Sequence, residues 1–252
     1  MFNNIVITGA SSGLGAALAR SFAAPGVVLG LLGRNSERLT EVSGFCKQMG
    51  AATKTALLDI RHREQLNDWL VSFDDKYPID LVIANAGIIA AVPKNQPDQP
   101  MSSVLDQFEI NFTGVIATVN PALLRMRGRR MGTVAIISSM AAFRGIPLFP
   151  AYSASKAALK SYYEALRPTC AADNIDICIV CPSYIDTPMN NKNNSSSLLR
   201  MDADKAARII KSGVEKKKPL LAFPYTHLLG IRLLSLLPVK LGDWILYKTM
   251  GS

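Results

Sequence analysis

Tyr152 and Lys156, four residues apart in "YSASK", are the first side chains in this sequence that could do chemistry together. On a helix that spacing puts both on one face, one turn apart. An ammonium beside a phenol favours the phenolate, which would make Tyr152 a usable proton donor or acceptor under mild conditions. Taken alone, the spacing is better explained by a half-buried helix aromatic with a solvated lysine. The elements that would have to position the pair decide between the two.

Short β-branched apolar runs alternate with amphipathic stretches along the chain. The strand candidates are residues 4–8, 26–32, 52–58, 79–85, 132–138, 175–181 and 219–223. Between them lie helical patterns at 14–24, 36–50, 63–77, 101–127, 152–172 and 202–217. Strand–helix alternation with nearly all-apolar strands predicts an α/β fold, a doubly wound seven-stranded parallel sheet with helices on both faces. With 252 residues, 49% of them hydrophobic, the chain can bury one large core, and residues 1–252 are expected to form a single domain. In such a sheet, ligands bind at the carboxyl ends of the strands.

"TGASSGLG", residues 8–15, follows the first strand and runs into a helix. Gly9 allows a tight turn, Gly13 lets backbone approach a ligand, and Gly15 permits close packing of helix on strand. Ser11, Ser12 and Leu14 complete the turn. Its helix amino end offers free N–H groups and partial positive charge to a pyrophosphate. The setting, after a strand and at the start of a helix in the first βαβ unit, supports a dinucleotide site. The second strand then ends in "LLGRN", with Arg34 where a carboxylate would serve the ribose hydroxyls of NAD. A guanidinium suits a 2′-phosphate and an acid would repel it, so NADP(H) is the expected cofactor.

These residues, with "LDI" (58–60), "NAG" (85–87), "IN" (110–111), "ISS" (137–139) and "PSYIDT" (182–187), resemble the short-chain dehydrogenase/reductase family. The resemblance covers residues 4 to about 190 and implies a Rossmann-type fold. It implies a catalytic set of Asn111, Ser139, Tyr152 and Lys156, with Ser139 polarising a carbonyl and Tyr152 exchanging a proton. Lys156 would grip the nicotinamide ribose, and Asn111 would hold a water linking Lys156 to solvent. Asp59 and Ile60 would contact adenine. Asn85, Ala86 and Gly87 would support the sheet and line the adenine ribose, and Ile185 and Thr187 would bind the carboxamide. Pro182-Ser183 stands where the family usually has Pro-Gly, which adds a side chain beside the nicotinamide. The family further implies a carbonyl or alcohol substrate, no metal, and a homodimer or homotetramer. A non-catalytic NADP(H)-sensing regulator is disfavoured because all four catalytic positions are filled.

The net charge is +9 with a pI near 9.5. The densest basic runs, "RMRGRR" (125–130) and "EKKKP" (215–219), are short, so basic patches are expected rather than a nucleic-acid surface. Cys46, Cys170, Cys178 and Cys181 lack zinc-ligand spacing. Cys178 and Cys181 sit in an apolar strand that would turn them to opposite faces, as core thiols of a reducing compartment. The start, "MFNNIVITGA", has no signal-peptide pattern. A cytoplasmic protein is expected, with peripheral membrane attachment as the alternative. Residues 188–200, rich in Asn and Ser, read as a substrate lid. Residues 223–250 read as an apolar helical extension, too short to span a bilayer, which takes about 20 residues. It could cap the substrate pocket, pack at a subunit interface or lie on a membrane. Pocket or interface packing is preferred, with Trp244 and Tyr247 as packing aromatics and His227 at a surface or helix start. Each role leans towards an apolar substrate.

Overall fold

All seven apolar runs become strands of one sheet in the structure, a computed structural model that describes residues 2–93, 96, 98–187 and 200–250. In chain order the elements are β1 (Asn4–Thr8), α1 (Gly13–Phe22), β2 (Val28–Gly33), α2 (Ser36–Gln48), β3 (Ala52–Leu57), α3 (Arg63–Lys76) and β4 (Leu81–Ala84). Next come α4 (Met101–Phe108), a π-helical turn (Glu109–Thr113), α5 (Gly114–Arg129), β5 (Gly132–Ile137), α6 (Pro150–Ala172) and β6 (Ile175–Pro182). The chain continues through α7 (Ala203–Glu215), β7 (Leu220–Phe223), α8 (Tyr225–Leu236) and α9 (Val239–Met250). The strand order is β3-β2-β1-β4-β5-β6-β7, and every pairing is parallel.

Alternation along each central strand feeds two cores. Ile5, Ile7, Leu81, Ile83, Ala135 and Ile137 face one side, where Leu18 of α1, Leu39 of α2 and Ile210 of α7 cover them. Val6, Val82, Val134 and Ile136 face the other, under Leu70 of α3, Val119 of α5 and Tyr163 of α6. Cys178 and Cys181 fall in opposite cores, as their spacing predicts. All four cysteines are buried free thiols. Burial pushes Cys46 and Cys181 up to about 11 and Cys178 up to about 12, so these thiols stay protonated.

Two elements differ from the sequence reading. β3 is not apolar: it is an edge strand, mostly exposed, with one neighbour and little to bury. The helix predicted over 101–127 is interrupted by the π-helical turn that carries Asn111. The basic run 125–130 is largely spent within the fold. Arg125 and Arg129 both pair with the buried Asp74, and Arg127 lies 3.2 Å from Asp173. The predicted lid falls outside the described residues, apart from Arg200. Its flanks are stapled, with Asp186 N donating to Met201 O (2.8 Å) and Met201 N donating to Tyr184 O (2.9 Å).

From β1 the chain winds outward to β3, then crosses to β4 on the other side of β1. That reversal opens a crevice between the two halves at the carboxyl ends of the strands.

Candidate active site

A cleft of about 800 Å³ occupies this crevice, and every site residue named from the sequence except Asn111 lines it. At its floor, the turn after β1 is pressed against α1. Gly9 takes φ +67°, and a Cβ on Gly15 would lie 2.1 Å from the Gly9 carbonyl oxygen. Gly15 thus packs helix on turn rather than helix on strand. No side chain caps α1: Ser12 at its N-cap makes no cap hydrogen bond, and the first turn holds no acid. The bare N–H groups and the absence of side-chain bulk fit a diphosphate.

The turn is braced from β4. Thr8 Oγ1 accepts from Asn85 N (3.1 Å) and Ala86 N (3.2 Å), and Asn85 Nδ2 donates to Thr8 O (2.9 Å). Asn85, Ala86 and Gly87 thereby join the two strands at the switch point while lining the cleft.

At the end of β2, Arg34 has company that the sequence reading missed. Arg38 also lines the cleft, one helical turn on, where Asn35 caps α2 by accepting from Arg38 N (2.9 Å). The (i, i+4) spacing across an N-cap was the available signal. Asp59 faces Arg34 at 3.4 Å and is held more firmly by Arg61, through Nη2 at 2.8 Å. Those Arg61 hydrogen bonds keep the carboxyl near 2, so Asp59 is ionised at neutral pH.

At the other end, β5 delivers two serines with different tasks. Ser138 Oγ donates to the Lys156 carbonyl (2.9 Å), which ties β5 to α6. Ser139 Oγ accepts from Ala141 N (3.1 Å), and the same hydroxyl acts to lower the Tyr152 pKa. Lys156 is buried; its Nζ donates to Ile137 O (3.0 Å) and lies 5.9 Å from the Tyr152 ring centroid. The expected lowering of the tyrosine pKa is not found in the protein without cofactor. Burial raises Tyr152, against a smaller lowering by the Ser139 hydroxyl, and burial brings Lys156 down to about 8. Desolvation is the leading cause of both shifts.

The depressed lysine has a measurable consequence. Between the folded value near 8 and the unfolded value of 10.5, the unfolded chain binds more protons, so this group makes stability rise with pH. Relative to Lys156→Met, the cofactor-free wild type is expected to gain about 2 kcal/mol between about pH 7.5 and 9.5. Urea titrations of both proteins at the two pH values check this.

Asn111 is fully buried on the π-helical turn. Its Oδ1 accepts from Ile88 N (2.8 Å), and its Nδ2 donates to Ile88 O (2.9 Å) and Ser155 Oγ (3.1 Å). Both ends of the amide are engaged with the fold. On the nicotinamide side of the expected site, Ser183 Oγ lies 2.8 Å from His227 Nδ1, a link from the loop after β6 to the start of α8. Neither partner carries a signal in the sequence that points to the other. No residue of α8 or α9 lines the cleft, so the described extension does not cap it.

A doubly wound parallel sheet with a bare glycine turn at its switch point is the Rossmann-type fold. Residues 3–198 match the family model described as short chain dehydrogenase, and the chain belongs to that family of nicotinamide-dependent oxidoreductases. An uncharacterized oxidoreductase of Mycobacterium tuberculosis (strain CDC 1551 / Oshkosh) is 33% identical over 94% of this chain and 94% of that protein. A 3-dehydrosphinganine reductase of Arabidopsis thaliana is 31% identical over 74% of this chain and 56% of that protein. Among solved structures, a short-chain dehydrogenase from Sphingobium yanoikuyae in complex with NADPH superimposes with a TM-score of 0.80. It shares 22% identity, over 94% of this chain and 97% of that one.

Proposed function

We propose that the protein is an NADPH-dependent carbonyl reductase acting on apolar ketones, with Tyr152 as the proton donor. The observation that carries this reading is the meeting of Ser139, Tyr152 and Lys156 with the glycine turn and two arginines in one cleft. The turn and the α1 amino end would hold the diphosphate, and Arg34 with Arg38 the 2′-phosphate. Ile185 and Thr187 would face the carboxamide and Lys156 the nicotinamide ribose. When bound, the cofactor supplies the hydride.

The chain's own part is proton handling and orientation. Ser139 donates a hydrogen bond to the substrate oxygen and fixes the carbonyl beside Tyr152. Tyr152, kept neutral by burial, is in the right state to give its proton to the oxygen as negative charge develops there. A raised phenol favours the reductive direction. Lys156, charged at neutral pH, stabilises the phenolate left behind. Asn111 holds the π-helical turn against Ile88 and α6 and so sets the wall beside Lys156.

A carbonyl reduction agrees with the name of the Arabidopsis relative, a 3-dehydrosphinganine reductase. Exposed Met101, Leu105 and Leu124 on α4 and α5 suit the homodimer or homotetramer contact of this reading, in a cytoplasmic protein. NADPH oxidation with a panel of ketones and aldehydes of increasing chain length tests it. Turnover with NADPH well above NADH, rising with chain length, is expected. Tight cofactor binding without turnover of any carbonyl would favour the regulator instead.

A further inference from the structure

The two helices after β7 leave an apolar face uncovered. In α8 only Leu228 is buried, while Tyr225, Leu229, Leu233 and Leu236 recur at helical spacing on the outer side, Leu236 being 81% exposed. Leu237, Val239 and Leu241 continue the surface through the turn into α9. There Leu246 is buried and Trp244 and Tyr247 are 59% and 66% exposed, so neither packs into the core of its own chain.

Exposed charge accompanies these apolar residues on the same two helices. Arg232, Lys240 and Lys248 are exposed on α8 and α9, and among the described residues none has a carboxylate partner. The acid of this segment, Asp243, is paired with Arg144. The surface therefore combines leucines, a tryptophan and tyrosines with unpaired cations. That is the composition of a helix lying in a lipid interface, where aromatic rings sit at headgroup depth and lysines reach phosphates.

From this geometry we propose that α8 and α9 dock the protein on an anionic phospholipid membrane. The helices lie in the interfacial plane, and no helix of the described residues is long and apolar enough to cross it. A second copy fits the face less well. A two-fold contact through it would bury Arg232, Lys240 and Lys248 against a copy whose one acid on this segment, Asp243, is already paired with Arg144, and cores of protein interfaces are depleted in lysine. Headgroup phosphates complement the same charges.

The face also stands on the working side of the molecule. α8 springs from the carboxyl end of β7, the sheet edge on which the cleft opens, and its first turn reaches Ser183 in the cleft wall through His227. Arg144 ties α9 to the segment that follows Ser139. A lipid surface here lies beside the cleft. This inference goes beyond the reductase reading, and its readout does not need turnover.

The test is co-sedimentation of the full chain with mixed phosphatidylcholine–phosphatidylglycerol vesicles and with pure phosphatidylcholine vesicles, at low and high salt. Binding to the mixed vesicles that weakens with salt is expected, with a blue shift of Trp244 emission. Arg232→Gln/Lys240→Gln/Lys248→Gln together are expected to weaken it on the order of a hundredfold. Leu233→Ser/Trp244→Ser is expected to reduce binding to both vesicle types. NADPH titration and circular dichroism verify that each variant is folded. Absence of wild-type binding to the mixed vesicles at low salt overturns the proposal. So does binding that neither set of substitutions changes, or a solution dimer that Leu233→Ser/Trp244→Ser dissociates.

Discussion

Tyr152→Phe is expected to lower kcat by about a thousandfold while leaving NADPH affinity within a few-fold of wild type. The size follows from what the hydroxyl does. In the proposed reduction it delivers the proton to the substrate oxygen, and positioned general acids contribute about a hundred- to ten-thousandfold. Ser139 would still orient the carbonyl, so the residual rate should reflect polarisation without proton delivery. The ring stays where packing puts it, and loss of the hydroxyl is expected to cost about 1 kcal/mol of stability at most. Stopped-flow reduction of the best ketone from the panel, with a thermal melt and a fluorescence titration of NADPH, separates chemistry from folding and binding. A fall of less than about tenfold would mean that the proton comes from elsewhere. Because burial holds the phenol protonated, the wild-type reductive rate should lack a falling limb at mildly alkaline pH that could be assigned to Tyr152.

The sheet and its glycine turn were legible in the residues because local pattern and global fold agree there. The runs at 4–8 and 175–181 became β1 and β6 with their starts intact, and Gly9 and Gly15 sit where only hydrogen fits. Strand parity placed Cys178 and Cys181 on opposite faces without further information. What could not be read off depends on partners distant in sequence. The Tyr152–Lys156 spacing suggests a charge pair, but it cannot disclose the burial that raises one group and lowers the other once α6 packs against β5 and β6. An apolar-periodic stretch at 101–127 cannot disclose the π-helical turn, because that bulge is fixed by the Asn111 amide gripping Ile88 across the crevice. Trp244 and Tyr247 read as packing aromatics because large rings usually find a surface to cover. Their exposure follows from α9 leaning on the fold mainly through Leu246 and the Arg144–Asp243 pair.

Cofactor choice carries the second large effect. Arg34→Asp is expected to weaken NADPH binding by a hundredfold or more, roughly, and to leave NADH binding unchanged or improved. Two changes add. The variant loses a charge-assisted hydrogen bond to the 2′-phosphate, worth about 1.5–3 kcal/mol, and places a carboxylate near that dianion. The Arg34 side chain is 61% exposed, so solvent screens part of the attraction and the lower half of that range applies. A new carboxylate can also accept from the ribose hydroxyls of NADH, which Arg34 cannot. Asp59 sharpens the test. It now lies 3.4 Å from Arg34 and would repel an aspartate there, while Arg61 keeps it ionised. Arg34→Gln removes the attraction without that repulsion, and its expected cost for NADPH is nearer tenfold, roughly one screened charge-assisted bond. Arg38→Gln should cost about the same, since Arg38 lines the same end of the cleft. Kd values for both cofactors and all three variants, measured at one ionic strength, decide the matter. Equal losses for NADPH and NADH would assign the two arginines to the surface of α2 and leave the 2′-phosphate without a partner in this cleft.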